Sequence, residues 1–399
     1  MNKLICRVYQ TVLRVASYAV KWPIPEVRRG ENSILCIGEI VKKHRAFPIL
    51  IVTDKGIAAT EILSKVIEAL GQSNIPYAVY DETVVNPTIA NVENALVSYY
   101  EKGCKGILAL GGGSALDCAK ALAARAANPR KSISQMRGQL KVRKKPPLLI
   151  AVPTTAGTGS EATIAAVITD PDTHEKYAIN DMVLVPQYAI LDPMFTLGMP
   201  SKITSTTGVD ALTHAVEAYI GKSNTRRTKK LSEQACKLVF DNLYLAYSDG
   251  QSIQARENMQ TAAFFAGCAF TRAYVGYIHA IAHALGGMYG IPHGLANAII
   301  LPHVLEYYGK SVYKPLAKLA DVVGVTESGD TDRQKSEKFI AAIRAMNKSM
   351  DIPEKITGIN KNDLPIIIKR ALKEANPLYP VPKILDEKDL YDIFKMLMD

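Results

Sequence analysis

The stretch GILALGGGSALDCAKALAA, residues 106–124, decides the fold of this chain. A short apolar run ends in three glycines, and apolar residues then recur at helical spacing, which predicts a strand, a tight turn and a helix. Gly111, Gly112 and Gly113 allow positive φ and close approach of a ligand to the backbone, and Ser114 is suited to cap the helix. The start of such a helix favours a phosphate, although tight turns also use glycine for steric reasons alone.

A second segment of the same kind strengthens the phosphate interpretation. It reads VPTTAGTGSEAT, residues 152–163, and follows a predicted strand at 148–152. Thr154, Thr155 and Thr158 place hydroxyl groups around its glycines. Two strand ends of this type lie side by side at the carboxyl edge of a parallel sheet, where such folds bind nucleotides. The two segments together predict a dinucleotide-binding domain.

Asp54 ends another predicted strand, in VTDKG. Its carboxylate is suited to a ribose hydroxyl and would repel a 2′-phosphate, which favours NAD over NADP. The alternative for this residue alone is an ordinary turn aspartate.

The wider pattern divides the chain in two. Short apolar runs at 49–53, 77–80, 106–110, 148–152 and 188–191 alternate with helical segments such as 58–70 and 88–102, which predicts a parallel sheet covered by helices. Strand signals vanish beyond Pro200, and helical periodicity continues at 208–220, 228–246, 256–273, 276–288, 294–308, 332–346 and 364–374. We therefore expect an α/β nucleotide-binding domain at 23–197 and a helical domain at 198–399.

Composition excludes several classes of protein. Of the 399 residues 48% are hydrophobic, and the six cysteines show no paired spacing, which is typical of a soluble cytoplasmic protein with reduced thiols. No apolar run reaches the roughly 20 residues of a transmembrane helix. The net charge of +10 gathers in runs at 130–145 and 226–230 without a nucleic-acid-binding motif, so we expect no nucleic-acid partner.

Residues 1–22 form a basic amphipathic segment of their own. A polar stripe lies opposite an apolar stripe, and the segment has no acidic residue. One interpretation is a helix that packs its apolar stripe on the body of the protein or on a second subunit. The others are a partner-docking or shell-targeting helix, a membrane-surface helix and an organelle presequence.

A cluster of histidines marks the second domain, in GVDALTHAVEAY (208–219) and GYIHAIAHALGGMYGIPHGLANA (276–298). Asp210 and His214 are four residues apart, as are His279 and His283, and this spacing places both side chains on one helix face. Two helices can thus present Asp210, His214 and His279 to one divalent metal, with His293 from a loop. Such an N and O ligand set suits zinc or ferrous iron. The cluster alone is also compatible with a zinc hydrolase, a storage site or packed core.

These segments together resemble the iron-containing (group III) alcohol dehydrogenase family from about residue 25 onward. GGGSALDCAKA, PTTAGTGSEAT, AILDP and the two histidine segments follow the family's order. The resemblance implies a Rossmann-like domain followed by a helical metal-binding domain, as in dehydroquinate synthase-like architectures. It implies NAD and a divalent metal, Fe(II) before Zn(II), as cofactors.

The resemblance also implies roles for individual residues. Asp210, His214, His279 and His293 match the metal ligands, and His283 matches a histidine beside the nicotinamide, with a role in proton transfer. Positions around the cofactor are matched by Asp54, Asn86, Gly111, Gly112, Gly113, Ser114, Asp117, Thr154, Thr155, Thr158, Thr163, Lys176 and Leu191. His303 is expected to be structural, and His44 and His174 to lie on the surface.

The implied activity is interconversion of a small primary alcohol or diol and its aldehyde by hydride transfer with NAD. One alternative is a polyol or glycerol-type dehydrogenase. Another is a component docked to a shell or assembly through residues 1–22. Family members often form dimers or larger homo-oligomers, so we expect an oligomer.

Overall fold

The computed structural model describes residues 3–171 and 175–398. Contacts divide the chain into two compact units. One runs from Trp22 to Met199. The other comprises the N-terminal segment up to Lys21 and the chain from Pro200 onward.

The first unit is built on a six-stranded parallel sheet in the order β1-β9-β6-β4-β2-β3. A second, three-stranded sheet has the order β5-β8-β7. The strands are β1 (Glu26–Arg29), β2 (Ile49–Val52), β3 (Tyr77–Tyr80), β4 (Gly106–Gly111), β5 (Gly138–Gln139), β6 (Leu148–Pro153), β7 (Ala165–Asp170), β8 (Glu175–Asn180) and β9 (Tyr188–Leu191). All five predicted strands are present within one residue of their predicted ends. The sequence interpretation missed β1, which is short and charged, the two-residue strand β5, and the antiparallel pair β7 and β8.

Both faces of the large sheet are covered, as the continuous apolar runs predict. Successive residues of β2 point to opposite sides, so Leu50 and Val52 belong to one core and Ile49 and Ile51 to the other. The helices of this unit are α2 (Ile37–His44), α3 (Lys55–Ala58), α4 (Glu61–Gln72), α5 (Ile89–Glu101) and α6 (Gly113–Ala127). This doubly covered parallel sheet places the loops after β4 and β6 at one sheet edge.

The second unit is helical, and among the described residues no strand follows Leu191. Its helices are α1 (Lys3–Tyr18), α7 (Ser201–Ile220), α8 (Arg226–Ser248), α9 (Ile253–Ala273), α10 (Tyr277–Tyr289), α11 (His293–Tyr308), α12 (Tyr313–Val323), α13 (Asp332–Ser349), α14 (Leu364–Ala375) and α15 (Glu387–Leu397). The predicted fold class, an α/β domain followed by a helical one, is confirmed. No described helix is both long and apolar enough to cross a bilayer.

The N-terminal helix α1 contacts the helical unit through its polar stripe. Arg7 donates hydrogen bonds to the carbonyl oxygens of Val381 and Pro382, at 2.7 and 2.9 Å, and Gln10 donates to that of Tyr379 at 2.7 Å. Ile5, Val8, Val12 and Val15 are exposed, so packing of the apolar stripe on the body of the same chain, one of the alternatives above, is wrong. Packing on a second subunit stays a prediction. Residues 379–382, which α1 contacts, present backbone carbonyl oxygens. Such groups require hydrogen-bond donors, which apolar side chains do not provide.

Candidate metal centre and nucleotide loops

Four predicted ligands meet inside the helical unit. Asp210 and His214 come from α7, His279 from α10 and His293 from α11, and one ligand atom of each lies within 4.8 Å of the others. Asp210 Oδ1 is 3.5 Å from His293 Nε2 and 3.9 Å from His279 Nε2. Asp210, His214 and His279 are buried, and the His293 side chain is 31% exposed. Three of the four side chains are therefore shielded from solvent, and His293 is partly exposed.

One structural observation shows that these four residues fit a divalent metal. His279 Nε2 is buried and, within the described part of the chain, has no hydrogen-bond partner, although a buried nitrogen normally has one. Burial, then the neighbouring histidines, lower the pKa of His279 well below its usual 6.5. A neutral imidazole with a free nitrogen is the form that binds a metal.

Glu217, one turn beyond His214 on α7, fixes the orientation of His279. Its Oε2 pairs with His279 Nδ1, and its Oε1 accepts a hydrogen bond of 2.9 Å from the backbone N–H of Ile278. A proton on Nδ1 leaves the lone pair of Nε2 directed at the cluster. Burial raises the pKa of Glu217 to about 8, and a cation on the far side of the ring would favour its ionised form.

The prediction that His293 lies in a loop is wrong. His293 is the first residue of α11, after Pro292. Asn297, one turn later on α11, donates hydrogen bonds to Asp210 Oδ1 at 2.6 Å and to His293 Nε2 at 3.1 Å. A helix start suits this ligand because regular backbone geometry sets the spacing between His293 and Asn297.

His283 lies on α10 beside the cluster but outside the group of four. Its ring stacks on that of His293, with centroids 5.0 Å apart. Its Nδ1 is 2.7 Å from Glu374 Oε1, which also accepts a hydrogen bond of 2.8 Å from the hydroxyl of Tyr379. The side chains of His283 and Glu374 are 26% and 32% exposed. This pair thus has the arrangement of a histidine oriented by a carboxylate and open to solvent.

In the other unit, the two glycine segments lie against each other. Gly111 and Pro153 are paired at the ends of β4 and β6. A Cβ placed on Gly113 would lie 2.7 Å from Thr158 Cγ2, so that position accepts only glycine unless the threonine moves. A Cβ placed on Gly112 would lie 3.3 Å from Thr155 Cγ2. The start of α6 is therefore lined by bare backbone and threonine side chains.

Three further predicted cofactor residues surround the start of α6. Ser114 Oγ accepts a hydrogen bond of 3.2 Å from the backbone N–H of Asn86, and Lys176 Nζ donates one of 2.9 Å to Asn86 Oδ1. Asp54 caps α3 through a hydrogen bond of 3.0 Å from the N–H of Ile57. Its other oxygen is 3.5 Å from a Cβ placed on Gly111, so the carboxylate lies at the same sheet edge.

The remaining predicted residues are bonded within the protein or buried. Asp117 accepts hydrogen bonds from Ser160 Oγ at 2.7 Å and from the N–H of Val167 at 3.1 Å. Thr163 Oγ1 is 2.8 Å from the ammonium group of Lys120. Thr154 and Leu191 are 4% and 2% exposed.

The other histidines lie away from the cluster. His303 is buried on α11, where its Nε2 donates a hydrogen bond of 3.0 Å to the carbonyl oxygen of Glu354. His44 is exposed and contacts the hydroxyl of Tyr188. His174 lies outside the described residues.

Family models decide the relationship that these features suggest. A model described as iron-containing alcohol dehydrogenase matches residues 25–193, and one for the C-terminal part of the same family matches residues 204–398. The chain belongs to the iron-containing alcohol dehydrogenase family. It is an NAD-dependent oxidoreductase of alcohols and aldehydes, and its family implies NAD and ferrous iron as cofactors.

Individual members of the iron-containing alcohol dehydrogenase family are similar to this chain over most of their length. The chain is 37% identical to 1,3-propanediol dehydrogenase of Klebsiella pneumoniae, covering 92% of this chain and 95% of that protein. It is 33% identical to lactaldehyde reductase of Escherichia coli, over 87% and 91%. A crystal structure of a 1,3-propanediol oxidoreductase superposes with a TM-score of 0.91 at 35% identity, covering 94% of this chain and 98% of that one.

The sequence interpretation missed four residues that contact predicted site residues. The sequence spacing could have revealed Glu217, because positions 210, 214 and 217 share one face of α7. It could have revealed Asn297 in the same way, four residues after His293. It could not have revealed Glu374 and Lys120, because their partners His283 and Thr163 are 91 and 43 residues away in sequence.

Proposed function

We propose that this enzyme interconverts a small primary alcohol or diol and its aldehyde at an iron centre held by Asp210, His214, His279 and His293. The observation that carries the assignment is the convergence of four ligand atoms within 4.8 Å, one of them a buried histidine nitrogen without a hydrogen bond. When bound, ferrous iron supplies Lewis acidity at a substrate oxygen, and NAD supplies the hydride acceptor.

The protein's own residues would keep the metal ligands in their binding form. Glu217 holds the proton of His279 on Nδ1, so Nε2 stays available. Asn297 holds the Asp210 carboxylate by its Oδ1. Each contact fixes one ligand before the ion arrives, which lowers the ordering cost of binding.

His283 is proposed to move the proton that an alcohol loses when it becomes an aldehyde. Its Nδ1 is held by Glu374, so we propose that Nε2 takes up that proton. The Glu374 carboxylate stabilises the imidazolium that results, and the exposure of both side chains gives the proton a way to solvent. In the aldehyde-reducing direction the same nitrogen returns the proton.

For NAD, the proposal places the pyrophosphate at Gly112, Gly113 and Ser114, where free N–H groups begin α6. Thr155 and Thr158 supply hydroxyl groups beside these glycines. The other predicted positions would contact the cofactor directly or shape these loops: Asp54, Asn86, Gly111, Asp117, Thr154, Thr163, Lys176 and Leu191.

Metal content and turnover test the iron centre together. We expect His279→Ala and Asp210→Ala to lose bound iron and NAD-linked turnover in parallel. His303→Gln is the matched control, because it changes a buried histidine of the same unit outside the cluster. Normal iron content and activity in either alanine variant would refute the assignment.

The substrate class rests on what the relatives' names state, 1,3-propanediol and lactaldehyde for two of them. A panel of short alcohols, diols, glycerol and aldehydes with NAD, loaded with either ferrous iron or zinc, tests it. The proposal expects the highest kcat/KM on small primary alcohols or diols with iron. A clear preference for glycerol or longer polyols would favour the polyol dehydrogenase alternative.

Asp54 carries the proposed choice of NAD over NADP. We expect Asp54→Ala to raise the ratio of kcat/KM for NADP to that for NAD by roughly tenfold, because the charge that repels a 2′-phosphate is removed. The variant also loses a helix cap. Thr60→Ala removes the comparable cap of α4 and should leave the ratio unchanged. An equal ratio in the two variants would remove Asp54 from the cofactor site.

Assembly forms the last part of the proposal. We infer that the enzyme works as a homo-oligomer and that α1 is an assembly or docking element. This inference is supported by the exposed apolar side of α1. The polar side of the helix contacts the protein, so the apolar side faces away from it.

A further inference from the structure

The outer side of α1 carries an apolar stripe that nothing in the described part of the chain covers. We define the outer stripe as Ile5, Val8, Val12 and Val15, which are 61%, 57%, 61% and 66% exposed. Leu4 beside it is 70% exposed. Isolated exposed aliphatic residues are ordinary, but a contiguous stripe along one helix marks an interaction surface.

The direction of this stripe is fixed by the opposite side of the helix. Lys3 forms an ion pair of 2.9 Å with Asp386. Arg7 and Gln10 donate to three backbone carbonyl groups in residues 379–382. Turning α1 to bury its outer stripe on the same subunit would break these contacts and leave the carbonyl groups unsatisfied. The protein therefore presents the stripe outward.

The spacing of the outer stripe is that of a helix-packing seam. Positions 5, 8, 12 and 15 alternate steps of three and four residues, the repeat by which one helix fits its side chains between those of another. The stripe is too short for an extended coiled coil. It is the right length for a short helix pair.

We propose that the outer stripe pairs with the outer stripe of α1 in a second copy of this chain. The inference deepens the proposed homo-oligomer by naming the contact surface. Residues 1–24 precede the part of the chain that the family models match, so this surface is additional to what family membership implies.

Charge placement favours a second copy. The outer stripe has no charged residue, and Lys3 and Arg7 are held by acceptors of their own subunit. Two stripes can therefore meet without opposing like charges. A membrane-surface helix instead needs its cations beside the apolar side, free to reach lipid headgroups, and here Lys3 and Arg7 are paired with acceptors of their own subunit.

A cross-linking experiment tests the pairing directly. In a parallel pair Val12 meets Val12 of the second copy, and in an antiparallel pair centred on the stripe it meets Val8. We expect either Val12→Cys alone or an equal mixture of Val12→Cys and Val8→Cys chains to form a disulfide-linked dimer with oxidised glutathione, which takes up the two electrons and two protons of the thiols. Arg14→Cys, exposed on the polar stripe of the same helix, should stay at the wild-type background alone and should form no mixed dimer with Val8→Cys. Cross-linking of the stripe variants no greater than that of the Arg14→Cys controls overturns the proposal.

Sedimentation gives the second measurement. We expect the double variant Val8→Asp/Val15→Asp to lower the average mass at least twofold at micromolar concentration, and Arg14→Asp to leave it unchanged. Retained NAD-linked activity shows that each variant folds and separates this question from that of the catalytic site. An unchanged mass overturns the proposal. So does loss of binding to anionic lipid vesicles with no change in mass, which would assign the stripe to a membrane.

Discussion

Glu217 lies outside the four proposed ligands and holds His279 through its Nδ1. We expect Glu217→Gln to weaken iron binding by roughly 10- to 100-fold, the usual effect of losing a carboxylate behind a ligating histidine. The amide cannot satisfy both His279 Nδ1–H and the N–H of Ile278 as an acceptor. Iron retained after dialysis against graded chelator measures the change.

Glu306→Gln is the control for that experiment, because Glu306 pairs with Arg344 at 2.8 Å on the exposed side of the helical unit. Its iron affinity should equal that of the wild type. A Glu217→Gln enzyme with the same affinity as the control would show that His279 is oriented without the carboxylate.

His303 makes the protein's stability sensitive to acid. Burial, and then the neighbouring Arg344, lower the pKa of His303 from 6.5. Below pH 6.5 His303 therefore binds a proton more readily in the unfolded chain than in the folded chain. The contribution of His303 to folding stability is complete above pH 6.5 and is lost as the pH falls below it. We expect His303→Gln to flatten the fall in thermal midpoint between about pH 7 and 5.

Calorimetry at a series of pH values in that interval measures the effect. Gln keeps a donor for the carbonyl oxygen of Glu354 but does not titrate. His44→Gln, at an exposed position, should reproduce the wild-type slope. A slope in His303→Gln as steep as in the wild type would mean that other groups cause the acid sensitivity.

At the scale of elements, a single buried lysine ties α6 to the loop after β6. Lys120 is 1% exposed, and its ammonium group donates to Ser160 Oγ, to the carbonyl oxygen and hydroxyl of Thr163 and to the carbonyl oxygen of Ala165, at 2.8 to 3.0 Å. We expect Lys120→Met to lower the free energy of unfolding by about 3 kcal/mol, since it removes the donor for these acceptors and the cation beside the buried carboxylates of Asp117 and Glu161.

The same substitution should weaken NAD binding, because the loop that it loosens carries Thr158. Urea unfolding and NAD titration measure the two effects. Lys102→Met, at an exposed position at the end of α5, should change neither. Full stability in Lys120→Met would show that the four hydrogen bonds only offset the cost of burying the charge.

For helix α1 the sequence pattern predicts the secondary structure correctly but not the orientation of the helix on the protein. Its amphipathic spacing predicts a helix, and the structure has one from Lys3 to Tyr18. The pattern also suggested that the apolar side faces the protein. Carbonyl groups at Tyr379, Val381 and Pro382 reverse this, because they form hydrogen bonds with Arg7 and Gln10. No local pattern in residues 1–22 contains that information.

At the scale of the whole molecule, the proposed metal site brings together three helices that are distant in sequence. Asp210 and His214 lie on α7, His279 on α10 and His293 on α11. We expect ferrous iron at about 1,000 times its Kd to stabilise the folded protein by about 4 kcal/mol. That corresponds to a rise of roughly 10 °C in the thermal midpoint of the unit that contains the site.

Scanning calorimetry of chelated and iron-loaded protein measures this shift. Asp210→Ala should show little or none of it, since the cluster loses its only carboxylate. An equal rise in Asp210→Ala would show that iron stabilises the protein somewhere else.

The sequence alone determined the class of fold, the four metal ligands as candidates and the two glycine segments. These depend on local periodicity and on spacings within one helix or one turn, as with Asp210 and His214 or Gly111 to Ser114. The tertiary structure alone decided which elements meet. It paired Glu374 with His283 and Lys120 with Thr163, placed His293 at a helix start, and turned the apolar side of α1 outward. Such contacts join residues far apart in the chain, and burial and hydrogen bonding of the folded whole select them.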